Sequence, residues 1–205
     1  MYSTLPSFVL GFHGCDESLV ESIIYKNKGL TPSSNDYDWL GHGIYFWESD
    51  PKRALSWAKE MKSHPVKGKG KIEKPAVIGA IIDLGYCLNL IESKSLTLLK
   101  STYDSFCVIQ KASGQALPVN KKLETSEDLL KRNLDCAVIE FLHTNLREQK
   151  KKEYDSVRGV FWEGKDLYPN AGFKEKNHIQ VCVRNPNCIK GYFLPRAAAD
   201  GYAIP

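Results

Sequence analysis

The chain has 205 residues, of which 42% are hydrophobic and 25% charged, with a net charge of +4. This length suits a single domain, 1–205, with its own core. No apolar run is long enough to cross a bilayer, and the N-terminus lacks the basic segment and cleavage site of a signal peptide, so we expect a cytoplasmic protein with no membrane partner.

The six cysteines form no CxxC pair and match no Cys/His spacing of a zinc site. We therefore expect reduced, buried thiols and no metal, although Cys182 and Cys188 could bridge a turn in an oxidising compartment. The lysines cluster in two runs, 67–74 and 150–152. These runs fit a solvated loop and helix end, or an acidic partner such as nucleic acid, and the net charge does not decide between them.

Taken in order, the chain alternates short strands and helices without a regular βαβ pattern. Strand patterns cover 7–14, 40–49, 76–84, 156–162, 179–183 and 189–194. Helical patterns follow the N-cap candidate Asp16 and cover 51–61, 92–101, 126–133 and 136–150. Polar loops are expected at 27–38, 64–74 and 163–177, a turn at 185–187, and a frayed tail at 196–205. The sequence thus predicts an α+β fold with largely antiparallel or mixed strands and flanking helices.

Four local features rise above this background. They are His13-Gly14 at the end of the first strand, Tyr45 in the run Gly43-Ile44-Tyr45-Phe46, Trp57 in the following helix, and Gln180 at the start of a late strand. A glycine after a strand histidine lets a ligand approach the backbone closely. Taken singly, each of these residues also has an ordinary structural role, in the core or on the surface.

Together, in this order, the four features resemble the ADP-ribosyltransferases, and within them the branch of the poly(ADP-ribose) polymerases and diphtheria toxin. That family has a His-Tyr-Glu triad on three strands of a split sheet. His13 and Tyr45 match its first two members, and Gln180 falls where the Glu is expected. Ala54 and Trp57 fall near the family's small residue and second aromatic, with Trp57 one place off register, and the resemblance implies that both line the NAD site.

The resemblance implies a site for NAD, used as a substrate. Gly14 would hold the carboxamide through its backbone, and His13 would donate to a ribose hydroxyl. Tyr45 would stack on the nicotinamide, with Trp57 on the other side. Gln180 can hydrogen-bond the ribose, but it carries no charge and accepts no proton. We therefore expect transfer of single ADP-ribose units rather than chain growth.

The loop 163–177 lies where the family recognises its target. Glu163 or Glu175 is expected to supply a carboxylate there, and Tyr168 and Phe173 to meet an acceptor, either a protein or a nucleic acid. Two alternatives stay open. One is a catalytically inactive module that binds NAD or ADP-ribose, and the other is an RNA 2′-phosphotransferase of the same fold using Arg53, Arg158 and Arg184.

Overall fold

The computed structural model describes residues 8–65, 70–122 and 128–197. Seven strands and four α-helices follow the chain in these ranges. The strands are β1 (Phe8–Asp16), β2 (Ile44–Glu48), β3 (Pro75–Asp83), β4 (Cys87–Asn89), β5 (Ser156–Phe161), β6 (His178–Val183) and β7 (Ile189–Phe193). The helices are α1 (Glu17–Lys26), α2 (Pro51–Ser63), α3 (Ser93–Ala112) and α4 (Asn133–Glu148).

All seven strands belong to one mixed sheet in the order β4-β5-β6-β2-β1-β3-β7. The short β4 pairs parallel with β5, and the other ladders are antiparallel. The predicted α+β class with flanking helices is therefore confirmed. No helix in the described ranges is both long and apolar enough to cross a membrane.

The ladder between β1 and β2 is unusually short and divides the sheet. β1 pairs with β3 along all nine residues, but with β2 only at Gly11↔Glu48 and Phe12↔Trp47. β2 continues along β6 from Trp47 back to Ile44. The sheet is thus paired at one end of this seam and unpaired at the other.

The two faces of the sheet bury different helices. Alternate residues of a strand point to opposite faces. Ile44 and Phe46 of β2 share a core cluster with Val20 and Ile23 of α1, and we call this side the α1 face. Tyr45 and Trp47 point the other way, into clusters that contain residues of α2 and α4; we call this side the α2–α4 face.

Helix starts follow the sequence signals where the cap is local. Asp16 accepts a hydrogen bond from the Ser18 amide (3.0 Å), and Asp50 accepts one from Arg53 (2.8 Å) with Pro51 at the first helical position. Both caps satisfy backbone donors that the first turn leaves unpaired. As a result, α1 and α2 begin where the sequence predicts.

The middle of the chain corrects three predictions. The helix expected over 92–101 continues to Ala112 as α3, and β4 was not predicted at all. The helix expected over 126–133 is wrong: residues 128–132 are not helical, and residues 126–127 lie outside the described ranges. A 3₁₀ turn, Pro186–Cys188, occupies the predicted turn before β7.

The start of α4 has a physical cause far away in sequence. The Asn120 side-chain oxygen accepts hydrogen bonds from the amides of Leu134 (2.9 Å) and Asp135 (3.3 Å). A cap 13 residues upstream takes the place of the usual residue just before the helix.

Most of the predicted tail, 198–205, and the lysines at 67 and 69 lie outside the described residues. All six cysteines are free thiols.

Candidate functional site

His13, Tyr45 and Gln180 lie on β1, β2 and β6, which are consecutive in the sheet. His13 is the sixth residue of β1, on the part of the strand where the ladder to β2 has ended. Tyr45 and Gln180 both point to the α2–α4 face, because Tyr45 pairs with Cys182 and Trp47 pairs with Gln180. The sheet topology thus brings the three strands together at the seam. Phe12 is the residue opposite Trp47, so the His13 side chain points to the α1 face, where its ring neighbours Phe46.

His13 crosses the seam and bonds to the opposite strand. Its Nδ1 lies 2.8 Å from the backbone oxygen of Tyr45. A carbonyl oxygen only accepts, so Nδ1 carries the proton and Nε2 is left as an acceptor in the neutral ring. Burial lowers the pKa of His13, partly offset by that hydrogen bond, so the neutral form is favoured. A ribose hydroxyl would therefore donate to His13, whereas the sequence predicted the reverse.

Gly14 presents backbone polar groups to the open seam. The Ser49 amide donates to the Leu10 carbonyl (2.8 Å), which fixes the side of β1 that faces β2. Since strand residues alternate, Phe12 and Gly14 direct their N–H and C=O groups to the same side. Phe12 has Trp47 opposite it, but the ladder ends there. The Gly14 amide and carbonyl therefore border the gap in which a carboxamide is expected.

α2 packs directly over Gly14. A Cβ at this position would overlap the backbone carbonyl oxygen of Ala54 and contact the side chain of Ala58. Both alanines are fully buried, so the helix axis lies close to β1. Gly14 and Ala54 are therefore required for packing whether or not a ligand binds.

The hydroxyl of Tyr45 is hydrogen-bonded to the backbone of the protein. It accepts a hydrogen bond from the Leu40 amide (2.8 Å) and donates one to the Gly41 carbonyl (2.7 Å). Burial raises the pKa of Tyr45 well above its ordinary value, so the hydroxyl keeps the proton that it donates. The ring is only partly buried and remains the part of Tyr45 that a ligand could contact.

Gln180 is buried opposite an aromatic side chain rather than lying on the surface. It is 8% exposed and stands opposite Trp47 in the β2–β6 ladder. Trp57 packs on Trp47 with ring centroids 5.6 Å apart, so its contact in this structure is with Trp47. His178, two residues before Gln180 and on the same face, also neighbours Trp47, at 6.3 Å between centroids.

Arg53 of α2 connects this aromatic group to the loop after β5. Its guanidinium lies 5.7 Å from the Trp47 ring centroid, and Nη2 is 3.0 Å from Oε2 of Glu163. The same Glu163 oxygen is 3.8 Å from Nδ1 of His178. Desolvation raises the pKa of Glu163, and Arg53 partly offsets this. Of the two carboxylates predicted for the site, Glu163 is the buried one, whereas Glu175 is exposed.

The loop 162–177 is a narrow ribbon folded back on itself. Backbone hydrogen bonds join Leu167 to Phe173, Glu175 to Lys165, and Lys176 to Glu163. Tyr168 and Phe173 sit towards its tip, and both are more than half exposed. Glu163 at its base contacts Arg53, so the ribbon stands beside the candidate site with its apolar side chains in solvent.

A separate cavity of about 440 Å³ lies at the other end of β6, lined by side chains that include His42, Arg147, Glu153 and Arg184. It contains none of the residues predicted for the NAD site, although Arg184 is one of the three arginines considered for a phosphate site. In the described ranges, no group of three or more His, Cys, Asp or Glu side chains is placed to hold a metal ion.

The fold and site define an α+β protein with an open central seam and a buried polar cluster on one face. The chain is 31% identical over 201 residues to the uncharacterized protein MJ0359 of Methanocaldococcus jannaschii, in a match that covers 87% of this chain and 83% of the archaeal protein. The chain belongs to the same family as that protein. No family model matches the chain, and no solved structure matches it either.

The structure adds Trp47 and His178 to the predicted residues and gives Arg53 a different partner from the one expected. For Trp47 and His178 the sequence contains one signal each. Trp47 follows Tyr45 by two residues, and His178 precedes Gln180 by two, so each shares a strand face with a predicted residue. For Arg53 the sequence indicates only a candidate phosphate contact.

Proposed function

We propose that this protein is a cytoplasmic mono-ADP-ribosyltransferase, a glycosyltransferase that cleaves NAD and transfers one ADP-ribose to a macromolecule. The observation that supports this best is the seam. His13, Tyr45 and Gln180 stand on three consecutive strands, and the ladder between two of them opens beside Gly14. The resemblance implies a backbone site for a carboxamide next to an aromatic ring, and the unpaired edge of β1 at Gly14, across the seam from β2 with Tyr45, supports this.

In the proposed reaction the bond between C1′ of the ribose and the nicotinamide nitrogen breaks. Its electron pair leaves with nicotinamide, and C1′ acquires oxocarbenium character. An acceptor oxygen or nitrogen then bonds to C1′ and releases its proton to solvent, since Gln180 cannot accept it. Fixed dipoles that surround the developing charge lower the barrier because they need no reorganisation. The backbone of Gly14 and the amide of Gln180 are such dipoles.

The family's catalytic Glu is replaced by Gln180 here, and Glu163 is proposed to supply the carboxylate instead. Its negative charge stands at the same face as Gln180, held by Arg53 at 3.0 Å. Burial raises the pKa of Glu163, and the ion pair with Arg53 partly offsets that rise. The proposal thus assigns positioning to Gln180 and the role of the carboxylate to Glu163.

The acceptor is proposed to meet the ribbon 162–177. Trp162, Leu167, Tyr168 and Phe173 are each more than half exposed. Exposed aromatic side chains on a loop anchored beside a site suit contact with a protein side chain or a stacked nucleobase. The ribbon supports a macromolecular acceptor without choosing between protein and nucleic acid.

The test is incubation of the purified protein with NAD labelled in the adenylate, together with a cell extract split into protein and RNA fractions. Release of free nicotinamide and label carried onto either fraction are expected. The label should stay as single units, because Gln180 cannot activate an acceptor ribose. No nicotinamide release with any fraction would refute the transferase.

Gln180 and Glu163 can be separated by substitution. We expect Gln180→Ala to slow nicotinamide release by about ten- to a hundredfold, the effect of losing one transition-state hydrogen bond. Gln180→Glu should keep or raise the rate, since it adds negative charge beside C1′. If both variants match the wild type while Glu163→Gln loses activity, the catalytic assignment moves to the loop.

A second candidate function, a silent module that binds NAD or ADP-ribose, is favoured by the neutral third position, Gln180. Binding without nicotinamide release would select it. The phosphotransferase alternative gains no support. Arg158 pairs with Glu48 on the α1 face, Arg184 with Glu140 at the far end of β6, and Arg53 with Glu163. The three cations therefore do not share a phosphate site.

A further inference from the structure

The exposed side of α2 carries positive charge that the protein leaves uncompensated. With 3.6 residues in each turn, Lys52, Lys59 and Lys62 fall within about 80° of one another around the helix axis. All three side chains are exposed, and within the described ranges none of them forms an ion pair. The buried Ala54 and Ala58 hold the helix against β1. The three lysines therefore form a positive strip along about 15 Å of helix, which we call the α2 lysine face.

The acidic residue of α2, Glu60, is engaged by the ribbon 162–177 rather than by these lysines. Its Oε1 lies 2.9 Å from Nζ of Lys176 in the ribbon and 3.9 Å from Nη1 of Arg53. Arg53 in turn binds Glu163 at the base of the ribbon, at 3.0 Å. These ion pairs fix the ribbon to α2. The α2 lysine face and the ribbon are therefore neighbouring parts of one surface.

The ribbon adds exposed aromatic rings to this surface. Trp162 and Tyr168 are each 56% exposed, and Phe173 is 60% exposed. The Leu167 amide donates to the Phe173 carbonyl oxygen at 3.0 Å, so the ring of Phe173 projects from a paired backbone. Lys165, also exposed, forms no ion pair among the described residues and adds a further positive charge. Flat apolar rings and free cations thus alternate beside the candidate site.

We infer that the α2 lysine face and the ribbon bind single-stranded nucleic acid, and that such a strand is the acceptor of ADP-ribose. The second part of this inference rests on the proposed function. Proteins that bind single strands combine positive charge along the nucleic-acid backbone with aromatic side chains on which bases stack. A duplex offers phosphates but keeps its base faces covered, and an acidic protein segment matches the charge but not the rings. An unpaired strand is the partner that uses both features.

The binding test is fluorescence anisotropy with a labelled single-stranded oligonucleotide of mixed sequence, as RNA and as DNA, and with the matching duplex. We expect the single strand to bind more tightly than the duplex. The double variant Lys52→Gln with Lys59→Gln should bind it about tenfold more weakly. The slope of log affinity against log salt should flatten by about 1.4, since each phosphate contact contributes about 0.7.

The rings are tested separately from the charges. Tyr168→Ala and Phe173→Ala should each weaken binding of the single strand by about five- to a hundredfold, the effect of losing one stacked base. Because neither change removes a charge, the salt dependence should stay as in the wild type. Wild-type affinity in both ring variants would overturn the assignment of the ribbon.

The matched control is the double variant Lys150→Gln with Lys151→Gln. It removes the same charge from the lysine run that follows α4, where both side chains are exposed and form no ion pair in the described part of the chain. We expect wild-type affinity for the strand. Equal losses in the two double variants would mean attraction by net charge alone and would overturn the inferred surface, as would tighter binding of the duplex.

The acceptor role is tested by incubating the same strand with NAD labelled in the adenylate. Label on the strand together with released nicotinamide supports both parts of the inference. Nicotinamide release with label confined to a protein fraction overturns the acceptor role and leaves the proposed function intact. Strand binding without any nicotinamide release supports the surface but refutes the proposed function, and the acceptor role falls with it.

Discussion

Removal of the Tyr45 hydroxyl separates the two roles of that residue. In Tyr45→Phe the Leu40 amide loses its acceptor and the Gly41 carbonyl loses its donor, bonds of 2.8 and 2.7 Å. Leu40 is 1% exposed, so water does not easily replace the lost partner. Unpaired buried groups cost about 1–3 kcal/mol each. The Gly41 carbonyl keeps a weak contact with Cys182 at 3.5 Å.

We therefore expect Tyr45→Phe to lower the free energy of unfolding by about 2–3 kcal/mol, measured by urea denaturation. For a chain of this length that corresponds to about 4–12 °C in Tm. Tyr192→Phe is the control, because its hydroxyl accepts one longer bond, 3.4 Å, from Leu30. It should cost less than about 1 kcal/mol.

NAD affinity should depend on the ring of Tyr45 rather than on its hydroxyl. The phenyl ring keeps its stacking area, so Tyr45→Phe should bind NAD almost as well as wild type, whereas Tyr45→Ala should lose most of the affinity. Equal stability of Tyr45→Phe and Tyr192→Phe would refute the structural role of the hydroxyl. Equal NAD affinity of Tyr45→Ala and wild type would refute the role of the ring.

Three further predictions concern stability. Gly14→Ala should destabilise the protein by about 1–3 kcal/mol because its Cβ overlaps the backbone of α2, whereas Gly191→Ala, with open space around it, should change little in the same denaturation assay. Asn120→Ala should cost about 0.5–2 kcal/mol through loss of the α4 cap, seen as lower Tm. Burial lowers the pKa values of His143 and His178 from 6.5 to about 4, so between these pH values the unfolded chain binds more protons than the folded one. The free energy of unfolding should therefore fall from pH 7 to pH 5 by on the order of 1–2 kcal/mol per histidine. Replacement of either histidine should make this pH dependence weaker.

Sequence signals predicted elements whose causes are local. The start of α2 can be predicted from Asp50-Pro51 alone, and β3 can be predicted from its own apolar run. The start of α4 could not be predicted in this way, because its cap is Asn120, contributed from a distant turn. β4 has only three residues, and its pairing with β5 depends on the folded sheet.

The same distinction between local and distant causes applies to the candidate site. His13, Tyr45 and Gln180 were named from short motifs, and the sheet does bring their strands together. The partner of Arg53 could not be predicted, because Glu163 is 110 residues away and reaches it only through the ribbon after β5. The bonds of the Tyr45 hydroxyl likewise depend on a tight bend at Gly41, where φ is +77°.

The short ladder between β1 and β2 has a mechanical consequence. Four strands, β4, β5, β6 and β2, lie on one side of it, and three, β1, β3 and β7, on the other. Two paired positions couple these halves directly through the sheet, whereas β1 and β3 share nine. This joint has fewer backbone hydrogen bonds than the neighbouring ladders, so it should open more readily than the rest of the sheet. We therefore expect amide exchange at the unpaired edge of β1 to be faster than in the ladder between β1 and β3, which hydrogen exchange can measure.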